Sequence, residues 1–346
     1  MKLGHHITSD AGEFRSRAEQ IVDFEKAGLD VVWVSEAYGL DAVSRLAYLA
    51  AKSERLLIGT SILPVYSRTP ALLAQTAAGL DYISNGRAIL GLGVSGPQVI
   101  EGWHGVRYDR PAQRLREVVD ICRGIWRREV LDYRGACYTI PLPREQGSGM
   151  GKPLKIIGQP VRSRIPVYLA TLGTKSVELT AEIAEGWMPI FFWPERAKSV
   201  WADTLARGAS RRDPELGPLE IVAGGLAAVG DGLEHLRDLE RPHLALYVGG
   251  MGARGANFYN DLACRYGFED EAKLVQDLYL SGKKDEAAAA IPDELLTGTT
   301  LIGPESYVCE RLAAYQEAGV TVLNVTPVGP GDPARTIARL KELMPS

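Results

Sequence analysis

Cysteine is scarce and dispersed in this chain. Its 346 residues carry four, Cys122, Cys137, Cys264 and Cys309, with no CxxC pair and no cysteine–histidine cluster. That spacing offers neither a zinc site nor a disulfide framework, so no metal is expected. The thiols read as small buried side chains of a reduced, cytoplasmic protein. An excess of positive charge is missing too. A formal net charge of −4 gives no basic face for nucleic acid. No apolar run approaches the ~20 residues that a membrane span needs. Lys2 to Ile7 lacks the basic and long apolar regions of a signal peptide.

What is present is a recurring beat of amphipathic helix, glycine stop and short β-branched strand. Phe14, Ala18, Ile21 and Val22 share a helical face, and Gly28 ends that helix before Val31–Ser35. The same order recurs at Gly186 before Trp187–Ile190 and at Gly319 before Val320–Val325. Leu56–Ile62, Arg87–Gly93, Pro166–Ala170, Glu220–Leu226 and Lys2–Ile7 bring the strand count to eight. Near-continuous apolar strands alternating with helices make a parallel sheet, and eight of them predict a closed (β/α)8 TIM barrel. Residues 1–346 read as one domain. Residues 227–318 carry short helices and no clear strand, and read as a lid or dimer-contact insertion before the last strand.

In such a barrel the chemistry sits in the loops after the strands. Several familiar constellations are absent: a GxSxG elbow, an HxH metal pair in strand one, and a strand-end lysine for Schiff-base work. Gly91-Leu92-Gly93-Val94-Ser95-Gly96 matches GxGxxG, but Pro97, Trp103, Gly105 and Pro111 interrupt the helix that a dinucleotide fold requires at once. It reads as a loop that lets a ligand approach the backbone.

The ionisable groups at strand ends are few. Glu36 follows strand two, as an acid, a base or a structural acceptor. Tyr66 and Arg68 follow strand three. Ser95, Gln98, Trp103 and His104 share the loop after strand four, where His104 is either a proton donor or a surface histidine packed on a ring. Leu172, Gly173, Thr174 and Lys175 precede a helix whose N-terminus suits a phosphate, although capping alone accounts for Thr174. Of His5 and His6 in strand one, one must face the barrel interior and the other the helices. Few charges, aromatic walls and a phosphate niche suit a cofactor that brings its own chemistry.

Several segments resemble the luciferase-like monooxygenase superfamily: Trp33-Val34-Ser35-Glu36-Ala37-Tyr38-Gly39, Ile58-Gly59-Thr60-Ser61-Ile62, and above all Leu80 to Gln98. Glu101-Gly102-Trp103-His104-Gly105, Ala181 to Trp187 and Asn324-Val325-Thr326-Pro327 extend the match. The Val-Ser-Gly-Pro-Gln and Gly-Trp-His-Gly blocks are similar to the branch that uses the deazaflavin coenzyme F420. The resemblance implies a deazaflavin across the barrel mouth, with FMN as the alternative. It implies a non-prolyl cis peptide at Ser61–Ile62 that bulges against the ring. Tail contacts map to Val94, Ser95 and Gly96 and to Gly173 and Thr174; His6, Gln98, Leu172 and Lys175 complete the expected cofactor set. A homodimer is expected by the same analogy.

One departure bears on activity. Luciferase-type enzymes carry a histidine after the acidic residue of strand two, and here Ala37 stands there. Glu36, Tyr66 or His104 must then supply any proton. The expected function is hydride transfer between the deazaflavin and a small molecule with a C=C, C=N or C=O group, held by Trp103, Phe191, Trp193 and the insertion. The alternatives are an FMN-dependent monooxygenase and a non-catalytic flavin-binding protein.

Overall fold

The computed structural model describes residues 1–7 and 13–344. Eight parallel strands close on themselves: β1 (Lys2–Ile7), β2 (Val31–Val34), β3 (Leu57–Thr60), β4 (Ala88–Gly93), β5 (Val167–Ala170), β6 (Gly186–Trp187), β7 (Glu220–Val229) and β8 (Val322–Pro327). Closure is made by β8, which sets Val322, Leu323 and Asn324 opposite Lys2, Leu3 and Gly4 of β1. The expected (β/α)8 barrel is the fold observed.

The helices start and stop where local chemistry provides for it. Asp41 accepts the Ser44 N–H ahead of helix Ala42–Lys52, and Thr69 accepts the Leu72 N–H ahead of helix Pro70–Ile83. Gly28 and Gly319 take the positive φ that ends their helices, at +107° and +86°.

Alternation along the strands makes two cores. Leu3, Val32, Val34, Phe24 and Leu46 belong to the layer between barrel and helices. Val31, Trp33, Ile89, Tyr168, Val222 and Val322 fill the barrel. Trp33 fits because position 59 is glycine: a Cβ there would lie 2.2 Å from the indole. The floor is polar, with Lys2 3.0 Å from Glu220 and the Tyr168 hydroxyl donating to the same carboxylate.

Three sequence expectations are corrected. The third strand is not continuous from Leu56 to Ile62; it ends at Thr60, and Leu63–Pro64 then pairs with Leu92–Gly93 beyond the turn. The sixth spans Gly186–Trp187 rather than Trp187–Ile190, because Pro189 has no N–H for the ladder. Region 227–318 does contain a strand. β7 runs on to Val229, and Ala227–Val229 pairs in parallel with Leu301–Gly303. Three residues are too short for periodicity to betray. The helices of this region, among them Arg241–Ala245, Phe258–Arg265, Glu269–Leu280 and Asp293–Thr299, are thus anchored to the barrel at both ends.

Candidate functional site

The two histidines of β1 diverge. His5 faces outward, its ring 5.2 Å from Phe24 and Nδ1 2.8 Å from the Val325 carbonyl. His6 lies inside the barrel. Burial drives its pKa down to about 4, His5 pushes the same way, and a backbone hydrogen bond at Ser61 opposes them. The ring is therefore neutral, and its buried Nε2 has no hydrogen-bond partner in the protein.

Beside His6, β3 and β4 are locked at their ends. The Thr60 hydroxyl donates to the Gly91 carbonyl at 2.7 Å and accepts the Gly91 N–H at 2.8 Å. The Ser61–Ile62 peptide bond is cis, at the place the resemblance indicates. A Cβ on Gly91 would sit 1.8 Å from the Thr60 carbonyl oxygen, and one on Gly93 would sit 2.9 Å from Ile62 Cδ1. Gly91 of the GxGxxG-like block thus serves the packing of β3 on β4, and Gly93 leaves room for the Ile62 side chain beyond the end of β3. Ser95 then turns the chain with φ +55°, and Gly96 caps the short helix Pro97–Gly102, which carries Gln98. Val94 packs partly buried against the outer core.

The three expected proton donors differ in how free they are. Glu36 accepts both terminal nitrogens of Arg68, at 2.5 and 3.0 Å, and the Ala42 N–H at 3.0 Å. Tyr66 donates to the Asp109 carbonyl at 2.7 Å, between the Tyr108 ring and the Arg114 guanidinium. Burial, with Tyr108 adding to it, pushes its hydroxyl up to about 12. His104 keeps a buried Nε2 with no partner. Trp103, 65% exposed, leans toward Tyr38 with ring centres 6.5 Å apart.

Phe191 and Trp193 part company. Phe191 has φ +53°, and its carbonyl accepts the Tyr266 hydroxyl at 3.0 Å. Its ring meets His243 at 5.3 Å and Tyr247 at 5.4 Å, and Tyr247 meets Tyr259 at 4.7 Å. Trp193 instead packs on Tyr266 and Phe268 and fills the space over Gly298, where a Cβ would lie 2.4 Å from its ring. The aromatic group built on Phe191 reaches across the strand ends: His243 is in electrostatic range of His6, Tyr247 of Tyr38, and Tyr259 of Tyr108. Sequence reasoning missed His243, Tyr247 and Tyr259. The one available signal was His243 and Tyr247 four residues apart, one turn of helix.

The loop after β5 also differs in detail. Gly173, not Thr174, is the N-cap of helix Thr174–Ile183, and no side chain caps it. Phe258 from the insertion stands 3.2 Å from where a Gly173 Cβ would be. Leu172 packs partly buried on the core. Lys175 lines a groove of about 430 Å³ with Arg116, Glu178, Glu182 and Arg211. No helix among the described residues is long and apolar enough to cross a membrane.

The family model of luciferase-like monooxygenases matches residues 1–322, and the chain belongs to that family. It is 42% identical over 345 residues to a Mycobacterium tuberculosis protein whose name is "putative coenzyme F420-dependent oxidoreductase", covering 98% of this chain and 99% of that one. It is 27% identical over 333 residues to the 5,10-methylenetetrahydromethanopterin reductase of Archaeoglobus fulgidus, covering 93% and 92%. Among solved structures, the coenzyme F420-dependent tetrahydromethanopterin reductase of Methanopyrus kandleri superposes with a TM-score of 0.78 at 20% identity, over 99% of this chain and 98% of that one.

Proposed function

We propose that the protein is a coenzyme F420-dependent reductase that adds a hydride to an electron-poor C=C, C=N or C=O group of a small organic substrate. The observation that carries the cofactor is the 42% identity, over nearly the whole of both chains, to a protein named for F420 dependence. The residues present suit such a group. His6 Nε2 is a buried acceptor without a partner, Ile62 projects over Gly93, and Ser95 turns the backbone just before a helix start. In this reading His6, Ser61 and Ile62 hold the ring. Val94, Ser95, Gly96 and Gln98 hold the tail from one side, and Leu172, Gly173 and Thr174 from the other, with Lys175 adding charge from the outer rim.

A reduced deazaflavin, when bound, supplies two electrons as a hydride and little oxygen chemistry. The protein has to orient the substrate, exclude water and deliver a proton. Trp103 and Phe191, with Tyr247 and Tyr259, provide aromatic walls for orientation. Ala37, standing where luciferase-type enzymes carry histidine, favours reduction over oxygenation. A homodimer belongs to the same reading, and Leu72, Tyr82 and Ile83 on one helix expose apolar surface for it.

The test is a parallel titration of the purified protein with F420 and with FMN, followed by tryptophan fluorescence. Saturable binding of F420 alone supports the proposal, and oxidation of reduced F420 by an acceptor panel then defines the substrate. Preference for FMN would replace it with the monooxygenase reading.

A further inference from the structure

We infer that Glu240 and His243 form a proton-transferring pair above the barrel mouth, with His243 giving the substrate the proton that accompanies hydride transfer. The inference rests on the function proposed above and names the residue that completes it.

The pair has the construction of an oriented imidazole. His243 Nδ1 lies 2.6 Å from Glu240 Oε1. The Glu240 side chain is only 12% exposed, whereas His243 is 45% exposed. A fixed carboxylate on Nδ1 holds the tautomer and steadies the imidazolium, and it leaves Nε2 free to exchange a proton. The short helix Arg241–Ala245 that carries the ring is clamped, since Arg241 donates to Asp238 at 2.6 Å and to the Ile291 carbonyl at 2.5 Å.

An exposed ion pair three residues apart on a helix is by itself ordinary. What separates this one is where its ring packs. His243 stands edge-on to Phe191 and to Tyr247, with ring centres 5.3 and 4.8 Å away, and lies within electrostatic range of His6 inside the barrel. Two of the other strand-end groups are committed elsewhere, Glu36 to Arg68 and the Ala42 N–H and Tyr66 to the Asp109 carbonyl. The third, His104, is unpaired at Nε2, but that atom is buried and cut off from a solvent proton. His6 is held neutral by burial.

For a carbonyl substrate the balance is simple. The carbon receives a hydride from the reduced deazaflavin, which is thereby oxidised. The C=O π pair moves onto oxygen, and that oxygen takes a proton from His243 Nε2. Nδ1 keeps its proton, hydrogen-bonded to the Glu240 carboxylate, so the ring is left as neutral imidazole, and Nε2 at its open edge is reprotonated from solvent.

Because the chain has five histidines, ¹⁵N-histidine labelling yields a spectrum of five rings. In wild-type protein saturated with oxidised F420, adding acetone or cyclohexenone as a carbonyl probe should shift the His243 Nε2 resonance and leave His235 unmoved. Glu240→Gln should shift His243 Nδ1. His243→Gln should slow oxidation of reduced F420 by the better probe about 100-fold, with F420 affinity within about twofold and partial rescue by added imidazole; His235→Gln should keep the rate. F420 binding with an unresponsive His243, or an unchanged rate in His243→Gln, overturns this proposal alone. Failure of wild-type protein to bind F420 overturns the hydride-transfer reading, and this step with it.

Discussion

Arg68 closes both terminal guanidinium nitrogens on Glu36, and with one of them also reaches Asp41 at 2.9 Å. The contact ties the loop after β2 to the loop after β3, at side chains only 10% and 15% exposed. A bidentate guanidinium–carboxylate pair at that depth is worth more than a surface pair, and breaking it leaves the part-buried Arg68 with only the more exposed Asp41 carboxylate opposite it. Glu36→Gln is therefore expected to cost roughly 1–3 kcal/mol of stability, read as a lower urea midpoint. In a double-mutant cycle with Arg68→Gln the two losses should be strongly non-additive. Loss of turnover with full stability would instead return Glu36 to the role of proton donor.

His6 gives the fold a pH dependence of known sign. Its pKa falls from 6.5 unfolded to about 4 folded because the ring is buried. Between those values the unfolded chain binds the proton and the folded chain does not. Stability attributable to this group is complete above pH 6.5 and is lost as the pH falls toward 4, by up to about 3 kcal/mol. His5 is lowered by burial as well and acts in the same direction. His6→Gln should thus flatten the fall of Tm between pH 6.5 and 5 without abolishing it. An unchanged slope would mean that His6 is charged or solvated in the folded protein.

The barrel was legible because its signal is repeated. Val31–Val34 and Ala88–Gly93 are wholly buried and read as unbroken apolar runs, and Gly28 and Gly319 mark the helix ends before Val31–Val34 and Val322–Pro327. That His5 and His6 face opposite ways followed from strand alternation; which of the two turns inward did not. What stayed hidden depends on contacts distant in sequence. The commitment of Glu36 to Arg68, 32 residues away, has no local signature. Trp193 read as a substrate wall because aromatic side chains after a strand look alike, and only Gly298, a hundred residues on, reveals its packing role. His243 lay in a region whose short helices give too few turns for periodicity. Leu301–Gly303 has only three residues with which to declare itself a strand.

Gly91 and Gly93 belong to one motif but should respond differently to the same change. A methyl on Gly91 meets a backbone carbonyl at 1.8 Å, which cannot yield without parting β3 from β4. Gly91→Ala is expected to destabilise by several kcal/mol or to prevent soluble expression. A methyl on Gly93 meets the end of the Ile62 side chain, at 2.9 and 3.1 Å, which can rotate. Gly93→Ala should cost about 1 kcal/mol yet weaken F420 binding about tenfold, because Ile62 is the group displaced. Equal effects of the two variants on stability would refute this division of labour.

The left-handed backbone at Phe191 is held from behind. A non-glycine residue at φ +53° persists when its surroundings define it, and Tyr266 supplies the restraint by donating its hydroxyl to the Phe191 carbonyl at 3.0 Å. The same oxygen accepts the Trp193 N–H at 3.2 Å, so one phenol fixes both ends of the turn. It is buried, and burial raises its pKa to about 12, so it remains a donor across the accessible pH range. Tyr266→Phe leaves the carbonyl and the amide unpaired, at a cost of roughly 1–3 kcal/mol. The diagnostic effect should appear at the mouth. With Phe191 released, the rings of His243 and Tyr247 lose their common support, so KM for the substrate should rise several-fold while F420 affinity holds. A variant that lost stability but kept KM would show that the turn at Phe191 serves the packing of Trp193 and not the substrate wall.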